Sequence, residues 1–126
     1  MIAVDSSSFI AYMEGLKGKD TKTVDRMLEV KILCLPPPVV SELLSDPQIP
    51  EELQARIVAL PRLKTYKGYW ERAAESRRAL LKIGLKARLA DSLISQSCVD
   101  NDATLITRDS DFRHFAKHCG LKLFEL

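Results

Sequence analysis

The sequence predicts an α/β fold: a single domain over residues 1–126, with a short parallel β-sheet flanked by helices on both faces. Two patterns carry this expectation. Apolar runs of three to five residues, such as Ile2-Ala3-Val4 and Ile32-Leu33-Cys34-Leu35, alternate with stretches whose apolar residues recur at helical spacing. Strands that are so short and so continuously apolar are covered on both sides, which is the setting of a parallel sheet. The length of 126 residues agrees, being enough for one hydrophobic core and little more.

The elements follow in order. Ile2-Ala3-Val4 stops at Asp5, and Ser6-Ser7-Ser8 supplies N-caps for a helix carrying Phe9, Ile10, Tyr12 and Met13 until Gly15 and Gly18. Asp20 or Thr21 caps a second helix, with Val24, Met27 and Leu28 on one face. The strand at 32–35 ends at Pro36-Pro37-Pro38, which cannot donate to a ladder, and a brief helix runs from Val39 to Leu44. Pro50-Glu51-Glu52 starts a helix that runs to Leu60, with proline at the first position and acids in the first turn. A further short strand is expected near Leu63–Tyr66, then a helix from about Trp70 to Lys82 closed by Gly84. Ala90–Val99 is helical, Thr104–Thr107 is a strand entered from the turn Asp100-Asn101-Asp102, Phe112–Cys119 is a last helix, and Leu121–Phe124 the last strand.

Composition removes several classes of protein. With 29% charged and 46% hydrophobic residues the chain is globular in character, neither disordered nor membrane-embedded. No apolar run approaches the roughly 20 residues of a membrane helix. The opening Met1-Ile2-Ala3-Val4-Asp5 meets an acid at once with no basic leader, so no signal peptide and a cytoplasmic location are expected. Cys34, Cys98 and Cys119 are odd in number and far apart, which excludes a disulfide framework and fits buried thiols. The net charge of +2 is unevenly spread. Residues 61–90 hold nine Lys and Arg (Arg62, Lys64, Lys67, Arg72, Arg77, Arg78, Lys82, Lys86 and Arg88) against Glu71 and Glu75, leaving the remainder acidic. The basic block is either a phosphate-binding face or a solvated helix face.

In an open parallel sheet, ligands bind beyond the carboxyl ends of the strands. Asp5 follows the first strand, while Asp109 and Asp111 follow the strand at 104–107. Glu42 lies in the helix after the second strand, and Asp91 begins the helix that leads back to 104–107. Each has an ordinary alternative: Asp5 as a turn residue or N-cap, Glu42 as a first-turn acid, Asp91 as an N-cap, Asp109 and Asp111 as caps of the next helix. Right-handed crossovers nevertheless bring all of them to one edge. A carboxylate cluster without histidine or cysteine suits a hard cation, Mg²⁺ or Mn²⁺, and such an ion serves phosphodiester hydrolysis.

These segments resemble the PIN-domain nuclease family, and most closely the VapC-type toxins of prokaryotic toxin–antitoxin pairs. Val4-Asp5-Ser6-Ser7-Ser8-Phe9-Ile10 resembles the family's opening Asp-Thr-Ser segment, with serine in place of threonine at Ser6. Val39-Val40-Ser41-Glu42-Leu43 resembles its Ser-Glu-Leu helix, and Ala90-Asp91-Ser92-Leu93-Ile94 its Asp-Ala-Leu-Ile segment, with Ser92 for alanine. Thr104-Leu105-Ile106-Thr107-Arg108-Asp109-Ser110-Asp111-Phe112 resembles the Thr-Arg-Asp-x-Asp-Phe ending. The resemblance covers essentially the whole chain. It implies metal ligation by Asp5, Glu42, Asp91 and Asp109, with Asp111 supporting or replacing Asp109 as the fourth acid. Asp5 and Asp91 would hold the principal ion, with Ser6 and Thr107 orienting carboxylates or water. It also implies Mg²⁺- or Mn²⁺-dependent endonucleolytic cutting of RNA to 3′-hydroxyl and 5′-phosphate ends, a homodimer, and an antitoxin that blocks the site.

Three further features have two readings each. Some of Arg72, Arg77, Lys82, Lys86 and Arg88 either flank the acids and neutralise RNA phosphates or form a solvated helix face. Tyr66, Tyr69 and Trp70 either stack bases or pack in the core or a dimer face. His114 and His118, four apart beside Cys119, either form a zinc pair or face solvent or phosphate. Two competing functions remain at this stage. One is a PIN-fold regulatory protein without useful turnover, against which the intact acids argue. The other is an aspartyl phosphotransferase using Asp5, which lacks the second acid such enzymes place where Ser7 stands.

Overall fold

Four strands form one sheet in the order β2-β1-β3-β4, and every neighbouring pair is parallel. The computed structural model describes residues 1–126. In chain order the elements are β1 (Ile2–Val4), α1 (Ser6–Met13), α2 (Lys19–Glu29), β2 (Leu33–Cys34), α3 (Pro37–Leu44) and α4 (Glu51–Ala59). There follow α5 (Tyr69–Lys82), α6 (Leu89–Asp100), β3 (Thr104–Ile106), α7 (Phe112–His118) and β4 (Lys122–Leu123). Consecutive residues of a strand face opposite sides. Ala3 and Val4 are both fully buried, as are Leu105 and Ile106, so helices cover both faces of the sheet.

The central pair sets the register: Ile2, Ala3 and Val4 lie opposite Thr104, Leu105 and Ile106. One hydrophobic core surrounds it, drawing Phe9, Val24, Leu33, Val39, Ile57, Leu80, Ile94, Phe112 and Phe115 from the helices and β2. The glycines at helix ends act as the sequence suggests: Gly84 and Gly120 have φ of +76° and +78°, which side chains resist.

Two expectations change. The strand near Leu63–Tyr66 is absent; in its place is a single parallel bridge between Leu35 and Arg62. There Leu35 N–H donates to Pro61 C=O and Leu63 N–H donates to Leu35 C=O. The next donors on this side would be residues 37 and 61, and both are proline without an N–H, so the ladder cannot extend past one bridge. Second, the helix at 19–29 starts one residue before Asp20, with Gly18 at its cap position and no side-chain cap. Asp20 is buried instead, with consequences described below.

Phe115 is fully buried in α7 and packs against Phe112 with ring centroids 6.1 Å apart. Phe115→Ala is expected to lower the free energy of unfolding by about 3–5 kcal/mol. Urea titration of the two proteins checks this, and a loss under about 1 kcal/mol would contradict the packing described.

Candidate metal centre

The strand order reverses direction between β1 and β3: from β1 the chain moves out to β2 on one side and returns to β3 on the other. A crevice opens at such a switch point, beyond the carboxyl ends of the two central strands. Asp5 leaves β1 there, and its N–H still donates to Ile106 C=O at 3.1 Å. Thr107 leaves β3 beside it and donates through Oγ1 to Asp5 Oδ2 at 2.7 Å.

Asp5 is 3% exposed and caps α1, accepting from Ser8 N–H at 3.1 Å. Ser7 Oγ donates to both of its oxygens, at 2.9 and 2.8 Å. Burial pushes the Asp5 carboxyl above the usual range, opposed by the hydrogen bonds from Thr107, Ser8 and Ser7 and assisted by the charge of Asp109. The cap reading and the site reading therefore coexist in one residue.

Asp109 and Asp111 sit in the turn between β3 and α7. Asp109 N–H donates to Thr107 Oγ1 at 3.0 Å, and Asp111 N–H donates to Asp109 Oδ1 at 2.9 Å. Asp111 occupies the N-cap position of α7 but makes no capping hydrogen bond with its side chain, which frees that carboxylate for other partners. Asp91 comes from the first turn of α6, after the cap residue Arg88, where the helix dipole favours an anion. One carboxylate oxygen from each of Asp91, Asp109 and Asp111 lies within 4.8 Å of the other two. Burial raises the Asp91 carboxyl to about 6, and the charges of Asp109, Asp111 and Glu42 push the same way against Arg88.

Glu42 is the sixth of eight residues of α3, so it is not a first-turn acid and the helix dipole does not favour it there. It is exposed, and Ser6 Oγ donates to its Oε1 at 2.6 Å. The three closest acids are thus Asp91, Asp109 and Asp111. Asp5 feels the charge of Asp109, and its oxygens accept from Thr107, Ser7 and Ser8.

The donor set is wholly carboxylate oxygen, spaced for one small ion, with an unneutralised excess of negative charge. Those residues fit Mg²⁺ or Mn²⁺. One cation of the chain reaches the group: Lys86 Nζ lies 3.2 Å from Asp111 Oδ2, with 53% of its side chain exposed.

The basic block divides. Arg72 is spent on Asp100 and on the Lys67 carbonyl, and Arg77 donates to the Ala87 carbonyl. Lys82, Lys86 and Arg88 are exposed on α5 and on the segment leading to Asp91. Tyr69 is buried, its hydroxyl donating to Leu93 C=O at 2.6 Å, so it serves packing; Tyr66 and Trp70 are exposed. His114 and His118 belong to no cluster of potential metal ligands, which leaves the zinc pair without support. The three cysteines are free, and burial pushes the Cys98 thiol up to about 12.

Asp20 was missed in the sequence, where it looked like a cap. It is 5% exposed and accepts from Arg108 Nε at 2.7 Å, from Arg108 Nη2 at 3.0 Å and from Ser8 Oγ at 2.9 Å. The Arg108 hydrogen bond holds its carboxyl down to about 2 against burial. No signal in the sequence joins residues 20 and 108.

A family model described as "PIN domain" matches residues 2–118. Among solved structures, the chain is similar to the crystal structure of VapBC2 from Rickettsia felis bound to a DNA fragment from their promoter. The TM-score is 0.76 at 18% identity, covering 100% of this chain and 99% of that one, which shows a shared fold. No curated protein matches the sequence.

The acids give the fold a signed dependence on pH. With a folded value of about 6 against 3.8 for the free group, Asp91 holds its proton more tightly folded than unfolded. Its stabilisation is complete below about pH 4 and is lost as pH rises through about 6. Asp20 has the opposite sign but titrates below that window. The Tm of cation-free protein is therefore expected to fall by a few degrees between about pH 4 and 6. Asp91→Asn flattens that slope, and added Mn²⁺ raises the Tm more above the window than below it. Calorimetry across the range tests this, and a flat profile for the unaltered protein would contradict it.

Proposed function

The chain belongs to the PIN domain family, and we propose that it is a Mg²⁺- or Mn²⁺-dependent endoribonuclease acting as the toxin of a type II toxin–antitoxin pair. The observation that carries the reading is the convergence of Asp91, Asp109 and Asp111 at the switch point, with Asp5 and Glu42 beside them. In this proposal Asp5, Glu42, Asp91 and Asp109 hold the metal, and Asp111, closest in space to Asp91 and Asp109, shares that task.

A bound divalent ion supplies Lewis acidity, making a water a better nucleophile and offsetting charge that builds on the phosphate. The chain's own residues orient and attract. Ser6 aims Glu42, while Thr107 ties Asp5 to the Asp109 backbone, so that the carboxylates are set before substrate arrives. Lys82, Lys86 and Arg88 draw the RNA backbone towards the acids without reading its sequence.

A protein partner and a second copy of the chain belong to the same proposal, with the cytoplasm as the setting. The similarity to VapBC2 supports an antitoxin. So does an apolar groove of about 660 Å³ lined by Phe9, Tyr12, Met13, Leu28, Leu53 and Leu60. No helix is long and apolar enough to cross a membrane.

Purified protein free of any partner, incubated with total cellular RNA and Mg²⁺, Mn²⁺ or EDTA, tests the central claim. Discrete fragments are expected with either ion and none with EDTA. Asp91→Asn is expected to lower the rate about a hundredfold or more. If the folded, metal-loaded protein cuts no RNA, the nuclease reading falls and a regulatory binding role without turnover replaces it.

A further inference from the structure

Arg108 stands between Thr107 and Asp109, yet its side chain goes to α2 and not to the acids. Its fork meets both oxygens of Asp20, and a bidentate pair fixes direction as well as distance. The contact is one link of a closed ring. Asp5 accepts from Ser8 N–H, Ser8 Oγ donates to Asp20, Asp20 accepts from Arg108, and Thr107 beside Arg108 donates back to Asp5. The ring joins α1, α2 and the turn after β3, which bears Asp109 and Asp111.

Gly18 shows how closely this arrangement is built. A Cβ there would stand 2.5 Å from Asp20 Oδ1 and 3.1 Å from Arg108 Nη2. Its φ of 161° is ordinary extended backbone, so a side chain at this position acts only by displacing the Asp20 and Arg108 side chains.

The Arg108 side chain is 35% exposed, and such pairs contribute at most about 1 kcal/mol to stability. What the pair does determine is where the turn lies. The geometry points to Asp20 and Arg108 as a positioning latch that holds the Thr107–Asp111 turn so that Asp109 and Asp111 face Asp91 at the separation one cation requires. Neither residue touches substrate; both act through the acids. The inference rests on the proposal that these acids hold a divalent ion, and it extends that proposal to residues outside the ligand set.

Three variants disturb the latch by different means: Asp20→Asn removes the charge, Arg108→Lys removes the fork, and Gly18→Ala wedges the pair apart. Ile57→Ala, in the buried face of α4, is the control for general destabilisation. The first readout is amide hydrogen exchange in cation-free protein. The Asp109 and Asp111 amides, which donate to Thr107 Oγ1 and Asp109 Oδ1, are expected to exchange about tenfold faster in each latch variant. The Leu105 amide in β3 is expected to change no more than in the control. The second readout is Mn²⁺ affinity by electron paramagnetic resonance, expected to weaken about 10- to 100-fold in the latch variants and to hold within about twofold in Ile57→Ala.

Unchanged exchange and unchanged Mn²⁺ affinity, or equal losses in the control, would overturn the latch. A raised KM for RNA in Arg108→Lys, with exchange and Mn²⁺ affinity intact, would also overturn it by placing Arg108 on the substrate. If the unaltered protein binds no Mn²⁺, the metal reading fails by itself. Exchange at Asp109 and Asp111 then still decides whether the pair positions the turn.

Discussion

Like charges crowded where β1 and β3 end are the constraint on which the rest of this structure depends. Two unit charges about 5 Å apart repel by about 3 kcal/mol at the effective dielectric of a protein surface, a sizeable part of a domain's whole stability. Asp91, Asp109 and Asp111 meet that condition, with Asp5 and Glu42 adding to the field. Nothing in their side-chain chemistry draws them together. They are brought there by backbone elements whose positions are settled elsewhere: β1 and β3 by their mutual register, and α6 by packing on α5 and α3. The buried strands and helices thus hold an arrangement that its own charges oppose.

This explains which parts of the site can be read from sequence. Asp5, Asp109 and Asp111 immediately follow apolar runs, and a strand end in a parallel sheet is a place with a known use. Asp91 and Glu42 are found in the same way, from helices adjoining those strands. Asp20 cannot be found so. Its role depends on a partner 88 residues away and on a Ser8 hydroxyl reaching across from α1, relations that no local pattern encodes. The same limit applies to the edge of the sheet. Leu63–Tyr66 reads as a strand by composition, but whether it joins a ladder depends on Pro37 and Pro61, which between them leave one bridge. Proline was visible in the sequence; the pairing of Leu35 with Arg62, which puts residues 37 and 61 next in the ladder, was not.

Charge counting has a related weakness. The excess of basic residues over 61–90 is real, yet part of it is internal: Arg72 braces α5 against Asp100 of α6, and Arg77 holds the carbonyl of Ala87. Burial pushes the Asp100 carboxyl up, but hydrogen bonds from Arg72 and Gln96 and the charge of Arg72 outweigh it and hold the group below its ordinary range. These two arginines are committed to the packing of α5 on α6 and its approach segment. What remains exposed of the block is Arg62, Lys64, Lys67 and Arg78, together with Lys82, Lys86 and Arg88 on the approach to Asp91. A block of charge in sequence is thus a mixture of braces and free groups, separated only by seeing which acceptors each finds.

The sign of each carboxyl's displacement separates the acids by role. Asp20 is buried and Asp91 half-buried, yet Asp20 is held down to about 2 and Asp91 is raised to about 6. The difference lies in what faces them. Asp20 has the Arg108 fork on both oxygens, so its charge is matched from within the chain. Asp91 faces three other acids, with the charge of Arg88 as partial relief, and the nearby Lys86 is half in solvent and pairs with Asp111. A carboxylate that the fold uses structurally arrives with its cation, because an unmatched buried charge is expensive. Under the proposed function, a cluster that does not takes its balancing charge from a bound cation. Removing charge from Asp20 should then weaken the fold, whereas removing it from Asp91 should relieve it. An acid whose loss helps the fold is held in place for something other than folding.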